Sequence, residues 1–570
     1  MSESNKMTGG DAITRILQNH GLKTVFALAG ASHTHLLDAL NRNNFRIVST
    51  RHETGTVCAA DGYARITGKI GIALVISDQG LANTITGLAT AFHACSPILL
   101  LVASTPESWR EPNTEHSPDP FAQTRSITKW AHVVPSRAQL GEFVETAIRR
   151  ATTGRPGPVA LSISSDFLAQ RTSSEDPINQ SPSYDSRSTA DPALIQKAAD
   201  LINQATRPVI IGGAGAAWGK AEEYLTDLCH NFNIPYLGNT FGRGLVPEDD
   251  HSSYPWSFAH PAAKEADLVI SVGARFKQLL GWGQAPRFRS DAKFIQVDID
   301  PTEPGRTRPV DVPLIGDSGL ISQQLVHALY ASNYKPKKDP SWVQNTLKHR
   351  YDAYKDLGKN TAGAIHPFEI ARAVEETMPK NAIYVGDGGD IQFWMFGCQR
   401  ITTPRTFLDP YPLFSIGIGI PLALGAAAAA SDIAELTGET PSPVVLLTGD
   451  GSFGFYCGEL ASFQLAGLNA TVLIANDAAW GMELHGQNRA IGRNINTLLD
   501  AYDYEKVAQG FGWDGEKIEG SGNLLSALRK SLNSKTPTLL NVIVDQSAGE
   551  ALRSDPHLEN VILDPRTSKA

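Results

Sequence analysis

The sequence predicts an α/β protein of three doubly wound parallel-sheet domains, and two observations carry that prediction. Short apolar runs rich in Val, Ile and Leu alternate with helix-length amphipathic segments along most of the chain. This is the pattern of parallel strands joined by crossover helices. The alternation breaks at two polar stretches, residues 171–190 and 336–360, which divide the strands into three groups of similar size. The expected domains are residues 1–170, 191–335 and 361–548, with a polar tail at 549–570.

In the first domain the strand candidates are 24–28, 46–49, 71–76, 97–102 and 158–163. The 171–190 stretch is rich in Ser, Pro, Asp and Asn, the composition of a linker. The pattern resumes with strands at 208–212, 266–272 and 293–298, the first two running into glycine-containing turns at Gly212-Gly213-Ala214-Gly215 and Gly273-Ala274-Arg275. Residues 336–360 are charged and lysine-rich and read as a second connector. Strands at 382–386, 443–449, 471–476 and 538–544 then make the third domain.

The third domain holds the most informative stretch. One strand runs into Gly449-Asp450-Gly451-Ser452, and the next, after a helix-length segment, into Asn476-Asp477-Ala478-Ala479-Trp480-Gly481. A strand-helix-strand unit with parallel strands puts Asp450 and Asp477 on the same carboxyl-end edge, where open parallel sheets bind ligands. Two carboxylates beside small glycine turns suit a magnesium diphosphate, because a hard cation takes a few protein oxygens plus phosphate oxygens. An ordinary turn with Asp450 capping a helix would carry the same Gly-Asp-Gly, so the pairing with Asp477, 27 positions on, matters more.

Composition narrows the function classes. The chain has 570 residues, length enough for several cores, and 50 basic against 59 acidic residues give a net charge of −9. With no long basic run, nucleic acid is not the expected partner. Residues 1–10 are polar and lack an apolar signal core, no stretch is expected to be long enough to cross a bilayer, and a cytoplasmic protein that does not engage membranes is expected. The terminal Ser568-Lys569-Ala570 only approaches a peroxisomal tripeptide. Five scattered cysteines lack zinc or Cys-x-x-Cys spacing and fit reduced, buried thiols.

The Gly-Asp-Gly stretch and its downstream Asn-Asp resemble the thiamine-diphosphate signature of the acetolactate-synthase-like decarboxylases and carboligases. The resemblance covers nearly the whole chain and implies a pyrimidine-binding, a central and a diphosphate-binding domain. It places a magnesium ion on Asp450, the Asp477 side chain and the Ala479 carbonyl. Here Asp477 stands where the common pattern has Asn. The neighbouring Gly449, Gly451, Ser452, Trp480, Gly481 and Met482 would line the cofactor, and Gly386, Asp387 and Gly388 resemble the loop that closes over its diphosphate. Ile416 matches the bulky apolar residue that bends the cofactor, although core packing would also place an isoleucine there.

Arg51-His52-Glu53, followed by Gly62-Tyr63-Ala64-Arg65, resembles the marker of the pyrimidine domain, with Gly80 and Asn83 nearby. By that resemblance Glu53 is bonded to the aminopyrimidine and promotes loss of the thiazolium C2 proton. A helix N-terminal charge is the plainer alternative for Glu53. In relatives each site lies between two subunits, so a homodimer at minimum and a homotetramer are expected.

The substrate side departs from the pattern. Ser77-Asp78-Gln79-Gly80 replaces the Ser-Gly-Pro-Gly of many members. Gly486 replaces an aromatic wall, which suggests room for a larger carbonyl substrate. Glu483 is a candidate acid or base, or else a solvated helix charge. His33 and His116 are candidates near positions where relatives have active-site His and Gln, whereas His485 reads as structural. The 127–132 segment and the residues around Gly481 resemble benzaldehyde lyases and 2-hydroxyacyl-CoA lyases, implying cleavage or formation of a carbon-carbon bond beside a carbonyl; acetolactate synthesis and a catalytically inactive cofactor-binding subunit are the alternatives. Arg275 and Asp298 resemble part of a site for an ADP-containing nucleotide, FAD or a coenzyme A substrate, although such turns also occur where nothing binds.

Overall fold

The computed structural model describes residues 7–109, 120–171, 187–332, 341–358, 364–555 and 557–558. Its apolar runs pair in parallel into three six-stranded sheets. Helices cover both faces, so interior strands are buried throughout; Ile98–Ser104 is buried at every position.

The first sheet contains β1 (Thr24–Ala27), β2 (Arg46–Ser49), β3 (Gly71–Ile76), β4 (Ile98–Ser104), β5 (Trp130–Val133) and β6 (Val159–Ser164), in the order 2-1-3-4-6-5. The second contains β7 (Pro208–Gly212), β8 (Tyr236–Gly238), β9 (Ser253–Pro255), β10 (Leu268–Val272), β11 (Lys293–Asp298) and β12 (Val312–Ile315), ordered 12-11-10-7-8-9. The third contains β13 (Ile383–Gly386), β14 (Phe407–Leu408), β15 (Val444–Gly449), β16 (Thr471–Asn476), β17 (Asp514–Ile518) and β18 (Thr538–Ile543), ordered 14-13-15-16-18-17. Subtracting twelve from each strand number of the third sheet returns the order of the first. The two outer domains therefore share one topology, with switch points at β1/β3 and β13/β15, and the central sheet switches at β7/β10.

Two helices lock the first domain to the third. Glu53–Thr67 is buried along nearly its whole length and crosses Gly419–Thr437, which is rich in alanine. Small residues let the backbones nearly touch: a Cβ on Gly62 would stand 2.3 Å from the Leu422 carbonyl oxygen, and one on Gly425 1.9 Å from that of Ala59. Arg65 on the first helix forms a buried bidentate pair with Asp61 (2.6 and 2.8 Å) and donates to the Asp409 carbonyl at 2.9 Å.

Three expectations need correction. The Gly419–Thr437 helix has 19 residues and is long and apolar enough to span a bilayer by composition, contrary to the sequence reading; about 67% of its apolar window is buried inside the protein. The 336–360 stretch is more than a connector, because Trp342–Lys355 is a helix with Trp342, Val343 and Leu347 buried. Likewise the tail begins with a packed turn, Ala551–Ser554, that buries Leu552.

Candidate active site

The third sheet brings Asp450 and Asp477 to one edge. Asp450 follows β15 and is 2% exposed; the Gly451 amide donates to its Oδ1 at 2.8 Å, while Oδ2 has no partner. Asp477 follows β16, where the Ala479 amide donates to its Oδ1 at 3.2 Å and Gln546 Nε2 holds its carbonyl at 2.8 Å. Burial pushes both carboxyl groups above the ordinary range, and Asp477 is raised further by the charges of Asp450 and Asp390. A divalent cation relieves that crowding, since it favours the ionised form of both.

Beside them lies a cavity of about 130 Å³ lined by Ile416, Gly449, Asp450, Ser452, Asp477 and Gly481. A Cβ on Gly449 would meet nothing within 4 Å, whereas one on Gly451 would strike the Trp480 ring at 2.6 Å and Gly388 holds a φ of +87°. The orphaned Asp450 oxygen and this glycine-bordered cradle fit a magnesium diphosphate, with the Ala479 carbonyl as a third protein ligand. Among the described residues no cluster of three His, Cys, Asp or Glu could hold a metal. The rest of an octahedral shell would thus come from phosphate oxygens and water.

Other predicted residues divide. Trp480, Met482 and Glu483 line the same cavity, and Met482 faces Gly389. Glu483 is exposed. Gly486 sits on the Gly481–Ile491 helix with open space where its Cβ would be. Asp387 turns away from the cavity: it is 1% exposed and accepts the amides of Gly388 (2.6 Å), Gly419 (2.8 Å) and Gly417 (3.0 Å). It thereby fixes the Ile416 loop, and Gly389 and Asp390 form the wall that was expected of Gly386, Asp387 and Gly388.

Glu53 begins its helix at the edge of the first sheet, where Asn83 Nδ2 donates to its Oε2 at 3.0 Å and a Cβ on Gly80 would stand 3.4 Å from Oε1. It does not line the diphosphate cavity, whose walls all come from residues 367–549 of the chain. Glu459, which the sequence reading missed, holds the start of the same helix. Its buried carboxylate accepts the Arg51 amide (3.0 and 3.1 Å), the His52 amide (3.0 Å) and the Ser462 hydroxyl (2.7 Å). An anion at a helix N-terminus is favoured by the macrodipole.

His33 is fully buried within the chain and lines none of the cavities described: its Nε2 accepts the Gly30 amide at 2.6 Å, and burial lowers its pKa to about 4. His116 lies outside the described residues. His485 is buried, 2.9 Å from the Gln546 carbonyl, as a structural residue would be.

Three family models cover the chain in the same order as its three sheets. They are the N-terminal thiamine pyrophosphate binding domain of thiamine pyrophosphate enzymes over residues 7–125, the central domain over 195–325 and the C-terminal thiamine pyrophosphate binding domain over 387–542. The chain belongs to the thiamine pyrophosphate enzyme family. This thiamine pyrophosphate enzyme is similar over nearly its full length to proteins of two named activities. An acetolactate synthase large subunit of Parasynechococcus marenigrum is 31% identical, over 94% of this chain and 88% of its own. A probable acetolactate synthase large subunit of Methanococcus aeolicus is 29% identical, over 95% and 93%. Human 2-hydroxyacyl-CoA lyase 1 is 26% identical, over 95% of both chains.

The central domain of this thiamine pyrophosphate enzyme offers a larger space. A cavity of about 630 Å³ opens at the β7/β10 switch point, bordered by Arg155, Gly215, Gly273, Arg275 and Asp298. A second, of about 320 Å³, shares Gly273 and Arg275 with it and extends to Tyr411 and Phe414. Burial raises Asp298 to about 6, and burial with the nearby Arg275 lowers Lys277 to about 8.

Proposed function

We propose that the protein is a thiamine-diphosphate- and magnesium-dependent lyase or carboligase acting on a 2-hydroxy ketone or a 2-hydroxyacyl thioester. The observation that supports this choice is the open space at Gly486, on the helix whose first turn supplies Gly481, Met482 and Glu483 to the cofactor cavity. When bound, thiamine diphosphate supplies a nucleophilic carbon that adds to a carbonyl and accepts the electron pair of the broken bond. Asp450, Asp477 and the Ala479 carbonyl would hold magnesium and, through it, the diphosphate. Glu53, oriented by Asn83, would hold a proton at the aminopyrimidine nitrogen. Ile416, at the cavity mouth and 39% exposed, would press the two cofactor rings together.

Because Glu53 lies away from the diphosphate cavity of its own chain, the working unit is a homodimer in which each first domain covers the partner's cavity, with a homotetramer as the fuller assembly. The two adjoining central cavities suit an ADP-containing nucleotide, either FAD or the coenzyme A part of a substrate: Asp298 would meet the ribose, and Arg155 and Arg275 the phosphates. Acetolactate-type condensation or decarboxylation of a 2-oxo acid is the second reading, favoured by the higher identity to acetolactate synthases. The retained Glu53 and metal carboxylates argue against an inactive subunit.

The discriminating experiment supplies purified protein, magnesium and thiamine diphosphate with pyruvate in one arm and with benzoin or a 2-hydroxyacyl-CoA in the other. Aldehyde release in the second arm is expected, and rapid acetolactate formation in the first would overturn the lyase choice. Mixing inactive Glu53→Gln and Asp450→Ala chains should restore about a quarter of the activity if sites form between subunits.

A further inference from the structure

We propose that Arg553 is a positioning residue of the cofactor site: it balances the charge of Asp390, a third carboxylate in the wall of the diphosphate cavity, and so sets how tightly the site takes an anionic diphosphate. This inference rests on the thiamine diphosphate reading above and adds to it a residue from outside the cavity. Asp390 opens the Asp390–Cys398 helix and lines the cavity together with Asp450 and Asp477. Its Oδ2 is buried and has no hydrogen-bond partner. A Cβ on Gly481 would stand 2.9 Å from Asp390 Oδ2 and 2.5 Å from Asp477 Oδ2, so the two oxygens lie no more than 5.4 Å apart, with only a glycine between them. The charge of Asp390 is felt at Asp477. Asp450, Asp477 and a diphosphate already bring more negative charge than one magnesium ion offsets, and an unbalanced third carboxylate would repel the cofactor.

Arg553 supplies the balance. Its Nη2 stands 3.1 Å from Asp390 Oδ1, and both side chains are only 11% exposed, so solvent screens the pair little. Removing one partner of such a pair leaves the other as an uncompensated buried charge. The same guanidinium donates to the Met482 carbonyl at 3.0 Å and to the Gly549 carbonyl at 2.8 Å. Met482 and Gly549 both line the cavity. Arg553 thus fastens three wall residues from behind without standing in the wall itself. Its own carbonyl accepts from Arg489, in the last turn of the Gly481–Ile491 helix. A purely mechanical brace would depend on these hydrogen bonds, whereas a charge balance depends on Asp390 remaining ionised beside a cation.

The test titrates full-length protein, freed of cofactor, with thiamine diphosphate at saturating magnesium in a calorimeter. Arg553→Gln, which keeps hydrogen-bond donors but no charge, should weaken binding about tenfold, the effect of one uncompensated charge near the diphosphate in partly screened surroundings. Arg553→Lys should stay within about threefold of wild type. Asp390→Asn should bind at least as tightly as wild type, and adding it to Arg553→Gln should restore wild-type affinity to within about threefold. Unchanged affinity in Arg553→Gln overturns the assignment. So does a double variant as weak as Arg553→Gln, the result expected of a mechanical brace. Should Arg553→Gln fail to fold, Asp390→Asn decides, and an affinity below that of wild type overturns the assignment. A wild-type protein that binds no thiamine diphosphate would instead refute the functional reading, and this inference with it.

Discussion

Gly425→Ala tests whether the two domains are held by backbone contact between helices. The added methyl would stand 1.9 Å from the Ala59 carbonyl oxygen and 2.8 Å from both its carbon and the Tyr63 amide nitrogen. An ordinary carbon-oxygen contact is about 3.3 Å, so the Glu53–Thr67 and Gly419–Thr437 helices must separate by roughly 1.4 Å. No side chain can rotate away, because both sides of the contact are backbone. The cost should therefore reach the upper end of overpacking, about 3 kcal/mol, or about 6–12 °C of melting temperature for domains of this size. Gly62→Ala strikes the same crossing from the other helix, 2.3 Å from the Leu422 carbonyl oxygen. Once one substitution has separated the helices the other costs less, so the double variant should lose less than the sum. Gly510→Ala is the control, since a Cβ there meets nothing within 4 Å, and it should be neutral or stabilising by up to about 1 kcal/mol. Thermal unfolding followed by near-ultraviolet circular dichroism gives the comparison. A Gly425→Ala protein melting within about 1 °C of wild type would refute the close crossing.

Further expectations concern buried charge and the cofactor. Burial raises the Asp409 carboxyl to about 7, so the native state keeps its proton after the unfolded chain has lost it. Wild-type stability relative to Asp409→Asn should fall as pH rises from about 4 to 7 and then level off, by at most about 4 kcal/mol; a flat difference in urea midpoints across that range would contradict it. Asp450→Ala should weaken magnesium-dependent binding of thiamine diphosphate at least a hundredfold, whereas Asp477→Asn, which keeps an oxygen ligand and removes a crowding charge, should cost less than tenfold by isothermal titration. Gly486→Trp should fill the open space on its helix and abolish cleavage of a bulky substrate while C2-proton exchange, followed by NMR, stays within about threefold of wild type.

The interior strands were legible because parallel sheets covered on both faces need unbroken apolar runs, and β4 and β15 carry them. The strands that escaped notice are chiefly edges. β5, β9, β12, β14 and β17 each border a single neighbour, and β17, Asp514–Ile518, reads Asp-Gly-Glu-Lys-Ile with only its last residue buried. The 336–360 region was misjudged for a related reason: its helix buries a few positions among many charges, so composition outweighed periodicity. At the site, Asp450 and Asp477 were legible because strand ends and spacing alone put them on one edge. Asp387 was legible as part of a loop, but not in its orientation, since its three partners are backbone amides of Gly388, Gly417 and Gly419 that no side-chain pattern marks.

Glu459 escaped for the same reason as the orientation of Asp387, and its place joins the two halves of the site. It lies seven residues beyond Ser452, on the segment that leaves the diphosphate cavity, yet its carboxylate grips the amides of Arg51 and His52 immediately before Glu53. Gly55, a turn further along, leaves the room it needs, because a Cβ there would stand 2.2 Å from Glu459 Oε1. Any shift of the segment after Asp450 is thereby transmitted to the start of the helix that presents Glu53. Glu53 itself lines no part of the diphosphate cavity, whose walls come from residues 367–549. In the homodimer proposed above, the Glu459 carboxylate would tie the diphosphate cavity of one protomer to the Glu53 that serves its partner's cavity.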